Sequence, residues 1–357
     1  MGREFRAVLL NEVLFTAICQ YQDGYFGDLR PRVVEWQAMS REYSDYLLPP
    51  RFGAARVSGG LDLMINWLGK DRRFLLHIAI FEDNLEVIQR WLACCGASYV
   101  TLQTLDCAAR FGNLAIVRFF HDLGVRGTVQ AMNAAACYGH MNVLRFLHDH
   151  GTEGCTSNAL DYAAENGHLD VVRFLHQYRR EGATAAALNF AARNGHLNVV
   201  RFLHDHRDDG ATTDALDFAA CNGHLDVVRF LHDERTEGCT RFAMDHASKG
   251  GHLAVVQFLH AHRSEGCTTA AMDGAAENGH LAVLQFLHEH RREGCTDKAL
   301  EGATRHGHEH VVQYLLAERT EGNLEHCIDV AEKHYYMRIR DLLWKEHVAR
   351  MVARARS

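Results

Sequence analysis

The chain has 357 residues, 47% of them apolar, with 29 glycines and only three prolines, and 38 Lys/Arg against 45 Asp/Glu give a net charge of −7. That acidic balance speaks against nucleic-acid binding by the chain as a whole, and the longest apolar runs fall far short of the ~20 residues a membrane-spanning helix needs. In the opening MGREFRAVLLNEVLFTAIC, Asn11 and Glu12 interrupt the apolar stretch, and the Ser or Thr of a myristoylation site is missing at position 6, so the expectation is an intracellular protein, cytoplasmic or nuclear.

Residues 1–50 share no pattern with the remainder of the chain. Helical segments are expected at LLNEVLFTAICQYQ and RPRVVEWQAMSREYSDYL. Their order of apolar residues resembles an F-box, the three-helix motif that docks the Skp-type adaptor of a cullin–RING ubiquitin ligase. The resemblance implies docking through Leu10, Val13, Leu14, Ile18 and Trp36, although Leu-Asn stands where the motif has Leu-Pro. The same segment reads equally well as a cap shielding the first repeat, which every stacked array needs. Pro49-Pro50 begins a linker over 51–70.

From residue 71 to about 350 the chain repeats. Gly-His pairs begin at Gly139, Gly167, Gly195, Gly223, Gly251, Gly279 and Gly307, each 28 residues after the last, and a threonine column from Thr128 to Thr296 keeps step. Degenerate copies at His77–Leu92, Thr101–Phe120 and Asn323–Trp344 bring the total to about ten units. In the unit after Thr156, the threonine is placed to cap a helix whose narrow stripe is Ala159, Leu160, Ala163 and Ala164. Gly167 is expected to end that helix in a left-handed turn. A bulkier helix with Leu169, Val172 and Leu175 comes next, and Gly182 is expected to end it. Neither stripe can be buried alone, so the units must stack as an all-α solenoid of antiparallel helix pairs.

ALDYAAENGHLDVVRFLH resembles an ankyrin repeat, in its paired alanines, its Gly-His and its Leu-x-Val-Val run. The period is 28 where that family has 33, and the shortfall lies at the β-hairpin finger, so short links with few or no fingers are expected. The resemblance implies a non-enzymatic scaffold for protein–protein interaction that presents an elongated concave surface. With the F-box-like end, the second reading is the substrate receptor of a ubiquitin ligase.

The histidines invite a zinc reading, but the rings of His204-Asp205-His206 and its counterparts, two residues apart on a helix, point about 200° apart and cannot share an ion. His308-Glu309-His310 lacks the HExxH spacing. Structural histidine is expected, with no metal and no cofactor, and with stability sensitive to pH near their ordinary pKa of about 6.5. The polar column Asp161, Asn189, Asp217, Asp245, Asp273, Glu301 should bond neighbouring links, since units roughly 10 Å apart hold no carboxylate dyad. Cys155, Cys239, Cys267 and Cys295 share a small slot with Ala183 and Ala211, too far apart to cross-link. No phosphate loop, GxSxG elbow or CxxC appears, so no enzyme is expected.

Function is expected where the columns vary. Two columns on the first helix do so: Tyr162, Phe190, Phe218, His246, Gly274, Gly302, and Glu165, Arg193, Cys221, Lys249, Glu277, Arg305. Tyr162, Phe190 and Phe218 would make an aromatic patch or fill the core. Glu165, Arg193, Lys249, Glu277 and Arg305 would set the choice of a protein partner. Residues 351–357 end the sequence as a basic tail.

Overall fold

The computed structural model describes residues 21–22, 25–26, 29–34 and 73–356, and over 73–356 it forms ten helix pairs. These are α1 (Arg73–Phe81) with α2 (Leu85–Cys95), α3 (Leu102–Arg110) with α4 (Leu114–Asp122), and α5 (Val129–Cys137) with α6 (Met141–His150). Next come α7 (Ser157–Glu165) with α8 (Leu169–Tyr178), α9 (Ala185–Arg193) with α10 (Leu197–His206), and α11 (Thr213–Cys221) with α12 (Leu225–Glu234). The series continues with α13 (Arg241–Lys249) and α14 (Leu253–His262), α15 (Thr269–Glu277) and α16 (Leu281–His290), and α17 (Asp297–Arg305) and α18 (Glu309–Glu318). It ends with α19 (Leu324–Lys333) and α20 (Met337–Arg356), the last helix running on through the basic residues after 350. Two compact units result, residues 1–163 with 170–182, and residues 164–169 with 183–357.

Each pair forms for the reasons its sequence suggests. Thr240 sits extended at the head of α13 and its Oγ1 accepts from the Phe242 amide at 3.1 Å, satisfying one of the orphan donors of the first turn. Ala243, Met244 and Ala247 are buried, and their small size lets α11 and α15 approach on either side. In α12, Val227, Val228 and Leu231 are buried, and each such side chain is worth about 1.5–3 kcal/mol. The end of the second helix corrects the sequence reading. Helix α8 stops at Tyr178, four residues before Gly182, and the amide of Arg179 closes the last turn on the Leu175 carbonyl at 2.9 Å. The corresponding Arg235 is extended (φ −124°), which turns its side chain toward Glu237, its ion-pair partner in the link; the left-handed glycine is needed only later.

Within each unit the pairs stack in sequence order, first helix on first helix and second on second. Two devices clasp them. The Asp217 carboxylate accepts from the Thr240 amide at 2.8 Å and from its hydroxyl at 2.7 Å; Asp106–Thr128, Asp245–Thr268 and Asp273–Thr296 repeat the clasp. Asn133 and Asn189 reproduce it with an amide facing Thr156 and Thr212. Glu301 departs from the column: Leu324 stands where its threonine partner would be, and the side chain pairs instead with Arg305 and lies 3.5 Å from His326 Nε2.

The second device is the Gly-His pair. Gly223 is left-handed (φ +78°), and a Cβ there would stand 2.5 Å from Nδ1 of His252 in the following pair. The histidine takes that place in order to bond a backbone carbonyl of the pair before it, as His140 Nε2 does to Arg110 O at 3.0 Å. In the last pair the motif changes: Tyr335 occupies the glycine position at φ 60° and is 82% exposed, and Tyr336 replaces the histidine.

Two-residue strands β1 (Tyr21–Gln22) and β2 (Tyr25–Phe26) pair antiparallel, the one departure from an all-helical chain among the described residues. β2 lies against α2, Leu29 and Val33 are buried, and Arg32 forms an ion pair with Glu82. Leu10, Val13, Leu14, Ile18 and Trp36 lie outside the described residues.

Candidate protein-interaction surface

Counted from the capping threonine, the variable columns stand six and nine residues on, and another exposed position stands two on. Spacings of four and three put all of them on one face of the first helix. At the ninth position the main chain meets the following pair. The backbone carbonyl of the ninth residue is already engaged: Glu165 O accepts from Asn194 Nδ2 at 2.7 Å, and Arg193 O from Asn222 Nδ2 at 2.8 Å. Main chain holds the neighbours together there. This asparagine column escaped the sequence reading, although its letter recurs before Gly167, Gly195, Gly223 and Gly279.

Tyr162, in α7, is 40% exposed. In the unit containing residues 183–357, the ring column is partly connected. Arg193 lies over the Phe218 ring at 5.6 Å, and Phe218 meets Phe242 edge-on with centroids 6.2 Å apart. Phe242 in turn stacks on His246 at 3.5 Å. Phe218 and Phe190 are half-buried, while Phe242, two residues after its threonine and outside both variable columns, is exposed.

Beyond His246 the rings give way to a groove. Gly274 and Gly302 take the sixth position, where a Cβ would sit 3.0 Å from Cβ of Lys249 and of Glu277, respectively, so a side chain there would have to push those neighbours aside by a few tenths of an ångström. The missing side chains leave a trough of about 520 Å³ lined by Lys249, Glu277, Lys298, Glu301 and Arg305, with His246 at one edge. Lys249 and Glu277 stand 3.9 Å apart, and Arg305 pairs with Glu301. Lys249 and Arg305 remain half or more exposed despite these pairs, so their charges are cheaply re-paired with a ligand. Thus Phe218, Lys249, Glu277 and Arg305 belong to one surface region, whereas the hydrogen bond made by Glu165 comes from its main chain.

The second histidine columns contact the neighbouring pairs. His260 points edge-on toward Phe286 and His290 of the next pair, whereas His262 stacks on Phe258 and faces His232 of the pair before. The two rings of each such motif therefore serve different neighbours. Among the described residues, no group of three or more His, Cys, Asp or Glu is placed to hold a metal ion. Ten cysteines among the described residues are free thiols, and burial pushes those of Cys155, Cys239 and Cys267 up to about 11, which leaves them protonated and unreactive at neutral pH. No helix among the described residues is long and apolar enough to cross a membrane.

A family model described as ankyrin repeats (3 copies) matches residues 105–185, 179–241 and 243–326. Among curated proteins, none is similar enough to the chain to count as a match. The family model covers more than half of the sequence and falls on the stacked helix pairs, their Gly-His turns and their paired alanines, and the chain belongs to the ankyrin-repeat family, whose repeats are protein–protein interaction modules.

Proposed function

We propose that this protein is a non-enzymatic scaffold that grips an extended segment of a partner protein on the first-helix face of residues 183–357. The observation that carries the reading is the junction of the Phe218–Phe242–His246 ring cluster with the glycine-floored trough. An apolar side chain of the partner lies against the rings, and its backbone follows the trough, where Lys249, Glu277 and Arg305 select its charges. Aromatic and arginine side chains dominate binding energy at interfaces, so Phe218, Phe242 and Arg193 are the expected anchors. Partner capture with the full chain tests this. Phe218→Ala with Phe242→Ala, or Lys249→Glu with Arg305→Glu, should lose a partner that the wild type retains, whereas Arg229→Ala on the second helix should keep it. Identical partner sets from all of them would refute the assignment.

The alternative has residues 1–50 docking a Skp-type adaptor while the repeats hold a ubiquitination target. It draws its support from the sequence pattern alone. The described part of that segment, with Leu29 and Val33 buried and Arg32 paired to Glu82, packs as a cap would.

A further inference from the structure

In α12 the exposed positions are Asp226, Arg229, Asp233 and Glu234, all charged, as expected of a helix whose apolar residues are spent on its neighbours. Helix α20 is built differently. It runs for 20 residues, about 30 Å and twice the length of α12. It packs on α18 and α19, with Ile339 and Leu343 buried. Arg350 fastens the added turns to the link before α19: its guanidinium donates to the Thr320 carbonyl at 3.1 Å and to the Arg319 carbonyl at 3.4 Å, and it pairs with Glu346. The side of α20 opposite Ile339 and Leu343 is apolar. Met337, Trp344, Val348, Met351 and Val352 are all exposed, Trp344 by 57%. At 3.6 residues per turn they fall within one arc of about 100°. A contiguous apolar stripe left in water marks a place where something docks.

Two observations say what covers the stripe. The first is its place in the stack. Trp344 stands in the column of His232 and His260, whose rings meet Phe258 and Phe286 of the following pair edge-on with centroids 5.5 Å apart. In both cases the group laid on that column is the second helix of the next pair, so a helix is the shape that this face continues the stack by receiving. The second is charge. Helix α20 carries six Lys/Arg against two Asp/Glu, a balance of +4, whereas the rest of the chain, 32 Lys/Arg against 43 Asp/Glu, carries −11. Arg340 and Lys345 border the stripe on its two sides, each about 20° beyond its edge. Arg340 shares its charge with the exposed Asp341 at 2.7 Å, a surface pair that is readily exchanged for another carboxylate. Like charge opposes a second α20. An anionic bilayer would face the acidic array as well as α20, while a single acidic helix meets only the latter.

We propose that the exposed face of α20 is a docking site for an acidic amphipathic helix of a partner protein. The helix lies along the stripe with an apolar ring against Trp344, and its carboxylates reach Arg340 and Lys345. The site shares no residue with the first-helix surface, so its test is independent of the partner captured there.

Fluorescence anisotropy on the full chain, with two labelled and hydrocarbon-stapled helical peptides as probes, reads the site directly. Each peptide has about 18 residues, enough to span the stripe, and carries Phe and Leu on one face. One is flanked by glutamates and the other by lysines. The glutamate peptide is expected to bind roughly tenfold or more tightly than the lysine peptide, and to weaken as salt is raised. Trp344→Ala with Met351→Ala should lower its affinity roughly tenfold or more. Arg340→Glu with Lys345→Glu should reverse the preference between the two peptides, and Phe218→Ala with Phe242→Ala should leave binding unchanged. Circular dichroism checks that the variants fold; should Trp344→Ala not fold, the charge reversal carries the test. No binding of the glutamate peptide, equal affinity for both peptides, or indifference to the α20 variants would overturn the site. Co-sedimentation with vesicles of equal parts phosphatidylserine and phosphatidylcholine, lost in Trp344→Ala with Met351→Ala, would assign the face to lipid. A Trp344-dependent dimer in sedimentation velocity would assign it to a second copy of the chain, and either result would overturn the partner helix.

Discussion

Replacing Asp217 isolates the clasp between pairs. The side chain is 4% exposed and its two bonds to Thr240 are 2.8 and 2.7 Å long. Each bond to a carboxylate is worth about 1.5–3 kcal/mol, from which the desolvation of the buried charge must be subtracted. That desolvation is visible in the Asp217 carboxyl itself, which burial raises above its ordinary range in spite of the bonds from Thr240. Asp217→Ala removes both bonds and strands the Thr240 amide, so a loss of about 2–4 kcal/mol is expected. Asp217→Asn should cost under about 1 kcal/mol. Asn189 already shows the geometry it would adopt, with Nδ2 donating to Thr212 Oγ1 at 2.9 Å and Oδ1 accepting from the Thr212 amide at 3.1 Å. Urea titration followed by circular dichroism, with linear extrapolation, measures both. Because neighbouring repeats couple through their interfaces, the alanine variant should also broaden or split the transition. An asparagine variant as unstable as the alanine one would mean that charge, not hydrogen-bond geometry, holds the pairs; an alanine cost under about 0.5 kcal/mol would refute the clasp altogether.

Gly223→Ala forces a left-handed alanine, about 1–2 kcal/mol, and displaces the His252 ring from 2.5 Å away, so a total near 2–4 kcal/mol is expected in the same assay. In a double-mutant cycle His252→Ala should relieve part of that cost; strict additivity would show that the ring and the glycine are not opposed. Burial lowers the pKa of His196, His252 and His260 below the ordinary 6.5, and nearby histidines add to the effect. Their contribution is therefore complete above pH 6.5 and lost as pH falls through 6.5 toward the folded-state values, where the unfolded chain binds the extra protons. The melting temperature should hold from pH 8 to about 7 and fall between about 7 and 5.5; a flat profile would dismiss the idea.

The repeat was legible because its spacing is rigid: Gly139 to Gly307 fixed the pairs, and the threonine column fixed their starts, since both residues answer to backbone requirements that a single letter records. The end of the second helix was less so. Gly182 looked like a stop, yet an extended arginine performs that task, and only the recurrence of Arg-x-Glu in the links carried the signal. In the ring column, the sequence showed aromatic residues turning into glycine at 274 and 302, but not that Lys249 and Glu277 crowd those positions, which depends on how closely three helices approach. Phe242 escaped because it lies outside the ring column, joining it only through one helical turn.

The tyrosine at 335 has a bearing on polymerisation. Arrays built of self-similar modules invite copies to add end to end, and such heterologous contacts do not close but grow into fibres. A further pair stacked on this one would settle over Tyr335, whereas His252 settles over Gly223, a residue with no β-carbon. Asp83 holds the same place in the first pair, also left-handed (φ 52°), and the second pair still stacks on it, so Tyr335→Gly tests whether the bulk of the residue at this turn sets how readily a further module docks.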